Sequence, residues 1–225
     1  MSVIRPRRDA VDSPSSRPPL RLKYVEAVLS IGFALAFIAW TRLSAPGPLA
    51  PNTDPSSSGG PFGLDLLLPA PAAYPRSAAG QLAEAFAILT HPLIVLAVTA
   101  TWVVYAYTGR MRRLSVSLAI AATGIPVQFL IALHLARPTP GAAFADSIAA
   151  FAHAYPNAHV TAMTLASWVL VTLARAHHRS TMVATGTVLG YAAVVMTAVS
   201  QWYMGLATLS DLIGGFLLGA AFANL

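Results

Sequence analysis

The chain of 225 residues has no cysteine, only eight acidic residues, and charge on just 10% of its positions. The first absence excludes disulfides and thiolate metal sites. The shortage of charge excludes an ordinary soluble domain, in which about a quarter of residues are charged. Lysine is almost missing as well: Lys23 stands alone, and every other basic residue is arginine. Arginine in place of lysine, with abundant alanine, fits a GC-rich bacterial genome. What remains is apolar, with 56% hydrophobic residues, the composition of an integral membrane protein. A net charge of +6 would suit nucleic-acid binding if it were clustered. Here the basic residues fall in short segments between apolar runs, which is a topology signal.

Residues 1–22 are polar and rich in Pro, Ser and Arg. They carry too little apolar surface to fold alone and are expected to form a disordered cytoplasmic tail. No clear small-residue cleavage site follows the first apolar run, so a removable leader is not expected. Apolar segments then recur at about 24–40, 81–107, 114–135, 159–173, 181–200 and 210–225, the last short for a full span. Pro92 is placed to kink the second. Residues 42–80 are rich in Pro, Gly and Ser and read as an outer loop. Within it, Pro61-Phe-Gly-Leu-Asp-Leu-Leu-Leu-Pro69 is too short to cross ~30 Å of hydrocarbon and reads as an interfacial turn of helix. The predicted architecture is all-α, a polytopic bundle of six transmembrane helices over 23–225.

Charge placement orients the bundle. With the N-terminus in the cytoplasm, the inner segments hold Arg5, Arg7, Arg8, Arg17, Arg21, Lys23, Arg110, Arg112, Arg113, Arg175 and Arg179. The outer segments hold only Arg42, Arg76 and Arg137. That bias predicts both termini in the cytoplasm of a plasma-membrane protein. It also gathers Arg137, Asp146, His153, His159, Ser200 and Asp211 at the outer boundary. Ionisable groups at such positions are functional-site candidates. Helix starts near His159 and Ser210 point to the same boundary, where free N–H groups favour an anion. His153 and His159 are six apart and do not share a helix face, so no metal site is expected.

Three short stretches carry a more specific signal. They are Leu130-Ile-Ala-Leu-His-Leu-Ala-Arg137-Pro138, Pro156-Asn-Ala-His159, and Ser200-Gln201 followed after five residues by Ala207 and after three more by Asp211. In order and spacing they resemble the type 2 phosphatidic acid phosphatase and vanadium haloperoxidase superfamily. Its motifs are Lys-x6-Arg-Pro, Pro-Ser-Gly-His and Ser-Arg-x5-His-x3-Asp. The resemblance covers about residues 81–225 and implies a six-helix core with a site at one membrane face. It also implies metal-free dephosphorylation of lipid phosphates through a phosphohistidine, with no cofactor.

The resemblance implies a phosphate-binding set of Arg137, Asn157, Ser200 and Gln201, with His159 as general acid and Asp211 as partner of the nucleophile. The departures lie at the chemical positions. Leu130 stands for the phosphate-binding lysine, Asn157 and Ala158 for Ser and Gly, Gln201 for the second arginine, and Ala207 for the nucleophilic histidine. An alanine methyl forms no covalent intermediate. One guanidinium can bind a phosphate but stabilises developing charge poorly. The expectation is a catalytically degenerate protein that binds a phospholipid or polyprenyl phosphate, or a subunit of a membrane assembly. Two alternatives are an active hydrolase or transferase with rearranged residues, using Asp211, His153 or His159, and a purely structural subunit. At the bland end, Asp211 and Ser210 are good helix caps, Arg137 can anchor at the interface, and Trp202 and Tyr203 suit an aromatic belt.

Overall fold

Long apolar segments bounded by arginines form helices because only intrasegment hydrogen bonds satisfy a backbone in hydrocarbon. The computed structural model describes residues 20–44, 65, 68, 75–135, 137, 139, 144, 146–148, 150–151, 153–176 and 180–224. In these the helices are α1 (Leu20–Ser44), α2 (Ala78–Leu89), α3 (Pro92–Thr108), α4 (Arg112–Ala122), α5 (Gly124–Leu135), α6 (Ala158–Ala176), α7 (Ser180–Tyr203) and α8 (Leu209–Ala223). The first begins three residues before the expected 1–22 boundary. Most of the tail, residues 1–19, lies outside the described residues. So does the interfacial turn expected over 61–69, apart from Asp65 and Leu68.

Five stretches are long and apolar enough to cross a membrane: Tyr24–Ser44, Ala78–Thr108, Arg112–Leu135, Ala158–Arg175 and Ser180–Tyr203. Two of them are broken by proline. Pro92 has no N–H to donate and its ring crowds the preceding turn, so α2 stops and α3 restarts with Pro92 in its first turn. His91 completes that start: its Nδ1 accepts the Leu93 N–H at 3.3 Å. The same logic separates α4 from α5, where Pro126 lies in the first turn of α5 and the Thr123 hydroxyl donates to the Ile120 carbonyl at 2.6 Å.

Helix α8 differs in kind from the five spans. Its 15 residues rise only ~22 Å, less than the ~30 Å of a hydrocarbon core. It is also the helix turned inward, burying Leu212, Gly214, Gly215, Leu218, Gly219, Ala220 and Ala221 against α6 and α1. Close approach depends on missing side chains. A Cβ on Gly215 would meet the Asn157 carbonyl oxygen at 2.6 Å, and one on Gly219 would meet Thr164 Cβ at 2.7 Å. The Thr161 hydroxyl bridges the pair, placed 2.9 Å from the Asn157 carbonyl and 3.0 Å from that of Gly215. On the other side α1 donates to α8 twice, from Ser30 Oγ to the Ala221 carbonyl at 2.7 Å and from Trp40 Nε1 to the Ser210 carbonyl at 3.0 Å.

Candidate functional site

The turn between α7 and α8 sets the site. Gly205 sits at φ 70, a left-handed conformation glycine adopts without strain. Around it the Leu206 N–H returns to the Gln201 carbonyl at 3.0 Å. The chain then extends through Thr208 and enters α8. Asp211, in the first turn, reaches back: its Oδ2 accepts the Thr208 N–H at 2.7 Å and the Thr208 hydroxyl at 2.8 Å. Thr208, rather than Ser210, is therefore the capping position, and Asp211 serves as its partner in a capping box.

Arg137, just beyond α5, lies against this helix start. Its Nη1 is 3.1 Å from Asp211 Oδ1 and donates to Ser210 Oγ at 2.9 Å. Its Nη2 is 3.1 Å from Asp65 Oδ2. Asp65 in turn accepts the Ser210 N–H at 2.8 Å on Oδ1 and the Ser210 hydroxyl at 2.7 Å on Oδ2. Two carboxylates thus share one guanidinium. The Asp211 side chain is 0% exposed and that of Asp65 is 7% exposed. Nearby, Tyr155 bonds Thr41 Oγ1 through its hydroxyl at 2.6 Å. Burial pushes the Tyr155 phenol up to about 12, so it stays a neutral hydroxyl.

The other expected site residues join this cluster unequally. The Asn157 N–H donates to the Asp211 carbonyl at 3.1 Å. The Asn157 side chain caps α6 by accepting the Val160 N–H at 3.0 Å, and its amide donates to Gln201 Oε1 at 3.4 Å. Arg137, Asp211, Asn157 and Gln201 therefore form one connected chain of contacts. Ser200 turns elsewhere, donating to the Ala83 carbonyl at 2.7 Å. His159 is fully buried, with the Ala87 backbone as the polar group beside its ring. Its ring packs against His91 and Phe151, with centroids 5.7 and 5.3 Å away. Gln201 Nε2 is buried without a partner among the described residues.

No family model, curated protein or solved structure matches this chain.

Two of the substituted positions are informative. Ala207 is fully buried in an apolar cluster with Val160, Val194 and Leu212, so the place expected for a nucleophile is closed by packing. Leu130 is 66% exposed on the outside of the bundle. A lysine there would face lipid, and the buried polar residue on that helix is Gln128, which donates to the Pro156 carbonyl at 2.7 Å. Pro138 lies outside the described residues. Among those described, no three His, Asp or Glu side chains come together as a metal site.

Asp65 and His91 escape the sequence reading, yet each leaves a trace. Asp65 is the single charge inside an apolar run, and such a carboxylate needs a partner. His91 is an ionisable residue inside a span, which marks a functional candidate by default. Trp202 is more than a belt residue, because its Nε1 donates to the Leu68 carbonyl at 3.2 Å.

Proposed function

We propose a catalytically degenerate membrane protein with the six-helix architecture of the type 2 phosphatidic acid phosphatases, holding a lipid phosphate at the outer face of the plasma membrane. In this reading both termini are cytoplasmic, α8 is the sixth helix of the core, and the ligand is a phospholipid or polyprenyl phosphate. The protein acts alone or as a subunit of an envelope-lipid assembly. The connected chain Arg137–Asp211–Asn157–Gln201 carries the proposal, because it draws on all three motif stretches at one end of the bundle. The guanidinium and the N–H groups of the α8 start supply the donors that an anion needs.

Degeneracy rests on what surrounds that chain. Ala207 offers no nucleophile. Asp211 is no substitute, since both its oxygens face Thr208 or Arg137. A second reading, retained acid–base chemistry, draws on the buried His159 and the partly exposed His91 packed edge-on against it. Phosphate release from phosphatidic acid and polyprenyl pyrophosphate by the purified protein separates the two. No release is expected, and turnover abolished by His159→Ala would overturn the degenerate reading. Ala207→His is expected to restore no activity and to lower stability by about 1–3 kcal/mol through overpacking, read from a thermal melt. A purely structural role for Arg137 would show as lipid-phosphate binding unchanged in Arg137→Ala.

A further inference from the structure

The charge balance of the Arg137 cluster is wrong for an open anion site. One guanidinium faces two carboxylates, so the cluster carries a net negative charge while both are ionised. The donors an incoming phosphate would use are taken. The Ser210 N–H, the Ser210 hydroxyl and Arg137 Nη2 all converge on Asp65. Asp211 belongs to the frame, since it caps α8 from within the same turn. Asp65 does not: it comes from a segment 72 residues before Arg137 and 145 before Ser210. It meets the cluster as a ligand would, with a guanidinium, a backbone N–H and a hydroxyl donating to its two carboxylate oxygens.

We propose that Asp65 is a built-in occupant of this anion seat, a tethered carboxylate that competes with an external phosphate monoester for Arg137 and the start of α8. The seat is closed when Asp65 is in place and opens when it withdraws. The tether at Leu68, whose carbonyl accepts from Trp202 Nε1, keeps the competing carboxylate close. This rests on the reading of the cluster as an anion site, though not on that anion being a lipid. A site available for only part of the time binds with an apparent affinity reduced by that fraction.

The test uses the full chain in nanodiscs, with wild type, Asp65→Ala, Asp65→Asn and the double variant Asp65→Ala/Arg137→Ala. Inorganic phosphate is titrated first, in phosphatidylcholine nanodiscs, and binding is read by calorimetry. Removing the carboxylate is expected to tighten phosphate binding by about ten-fold or more, as for a seat closed nine-tenths of the time, and Arg137→Ala to cancel the gain. Asp65→Asn keeps the size and one acceptor while losing the charge, and serves if the alanine variant does not fold. A folded Asp65 variant that binds phosphate no tighter than wild type, or a gain that survives Arg137→Ala, overturns the proposal. A second arm replaces inorganic phosphate with nanodiscs containing phosphatidic acid. A gain for inorganic phosphate without one for phosphatidic acid upholds the tethered occupant and removes the lipid reading; a gain for both upholds the two together.

Discussion

Arg137 is the residue on which the end of the bundle depends. It balances two carboxylates that are almost entirely removed from water, and breaking a buried pair from one side leaves uncompensated charge. Arg137→Ala is therefore expected to lower stability by about 3–5 kcal/mol, measured by thermal or denaturant unfolding in detergent. Adding Asp65→Asn to that variant should recover part of the loss, because one of the stranded charges is then gone; additive losses would count against the shared ion pair. Much of this residue-level picture was legible in the sequence. The motif resemblance set Arg137, Asn157, Gln201 and Asp211 together as candidates, and the structure links them. Asp65 was not legible as a member, since no periodicity connects a lone carboxylate in a Pro- and Gly-rich segment to a helix 145 residues later. Ser200 and His159, expected in the same site, bond or pack away from the Arg137 cluster.

At the scale of elements, proline and glycine explain where the helical pattern departs from plain apolar runs. A kink at Pro92 was expected from its missing donor, and the structure goes further, ending one helix at Leu89 and starting the next at Pro92. The break at Pro126 has the same cause, but the continuous hydrophobicity of 114–135 masked it. The inward placement of α8 has a sequence trace in Gly214-Gly215 and Gly219, since small residues let helices approach closely in membranes. Length alone said only that this helix was short. Gly215 faces the backbone oxygen of Asn157, which a neighbouring side chain cannot relieve by moving. Gly215→Ala is expected to cost about 1–3 kcal/mol, with unfolding in detergent as the measurement. Gly32, beside which a Cβ meets nothing within 4 Å, should tolerate the same change; equal losses at both positions would refute the packing argument.

At the scale of the whole molecule, the arginine bias and the apolar lengths act on different questions. Length gives five stretches able to cross a membrane, while the bias predicts their orientation. The absence of cysteine makes that orientation directly testable. Single substitutions Ser13→Cys and Ser57→Cys supply unique thiols for a membrane-impermeant maleimide on intact cells. Ser57→Cys is expected to label at once and Ser13→Cys only after permeabilisation; the reverse pattern would invert the topology. The inward position of α8 has a consequence for biosynthesis. The groove it fills is built by α1 and α6, which leave the ribosome before it. Until α8 arrives, Ser30 and Trp40 lack the carbonyl partners that α8 supplies. A nascent chain paused before Leu209 would thus display unmet polar groups inside the bilayer, the kind of lesion that membrane proteases and insertases survey.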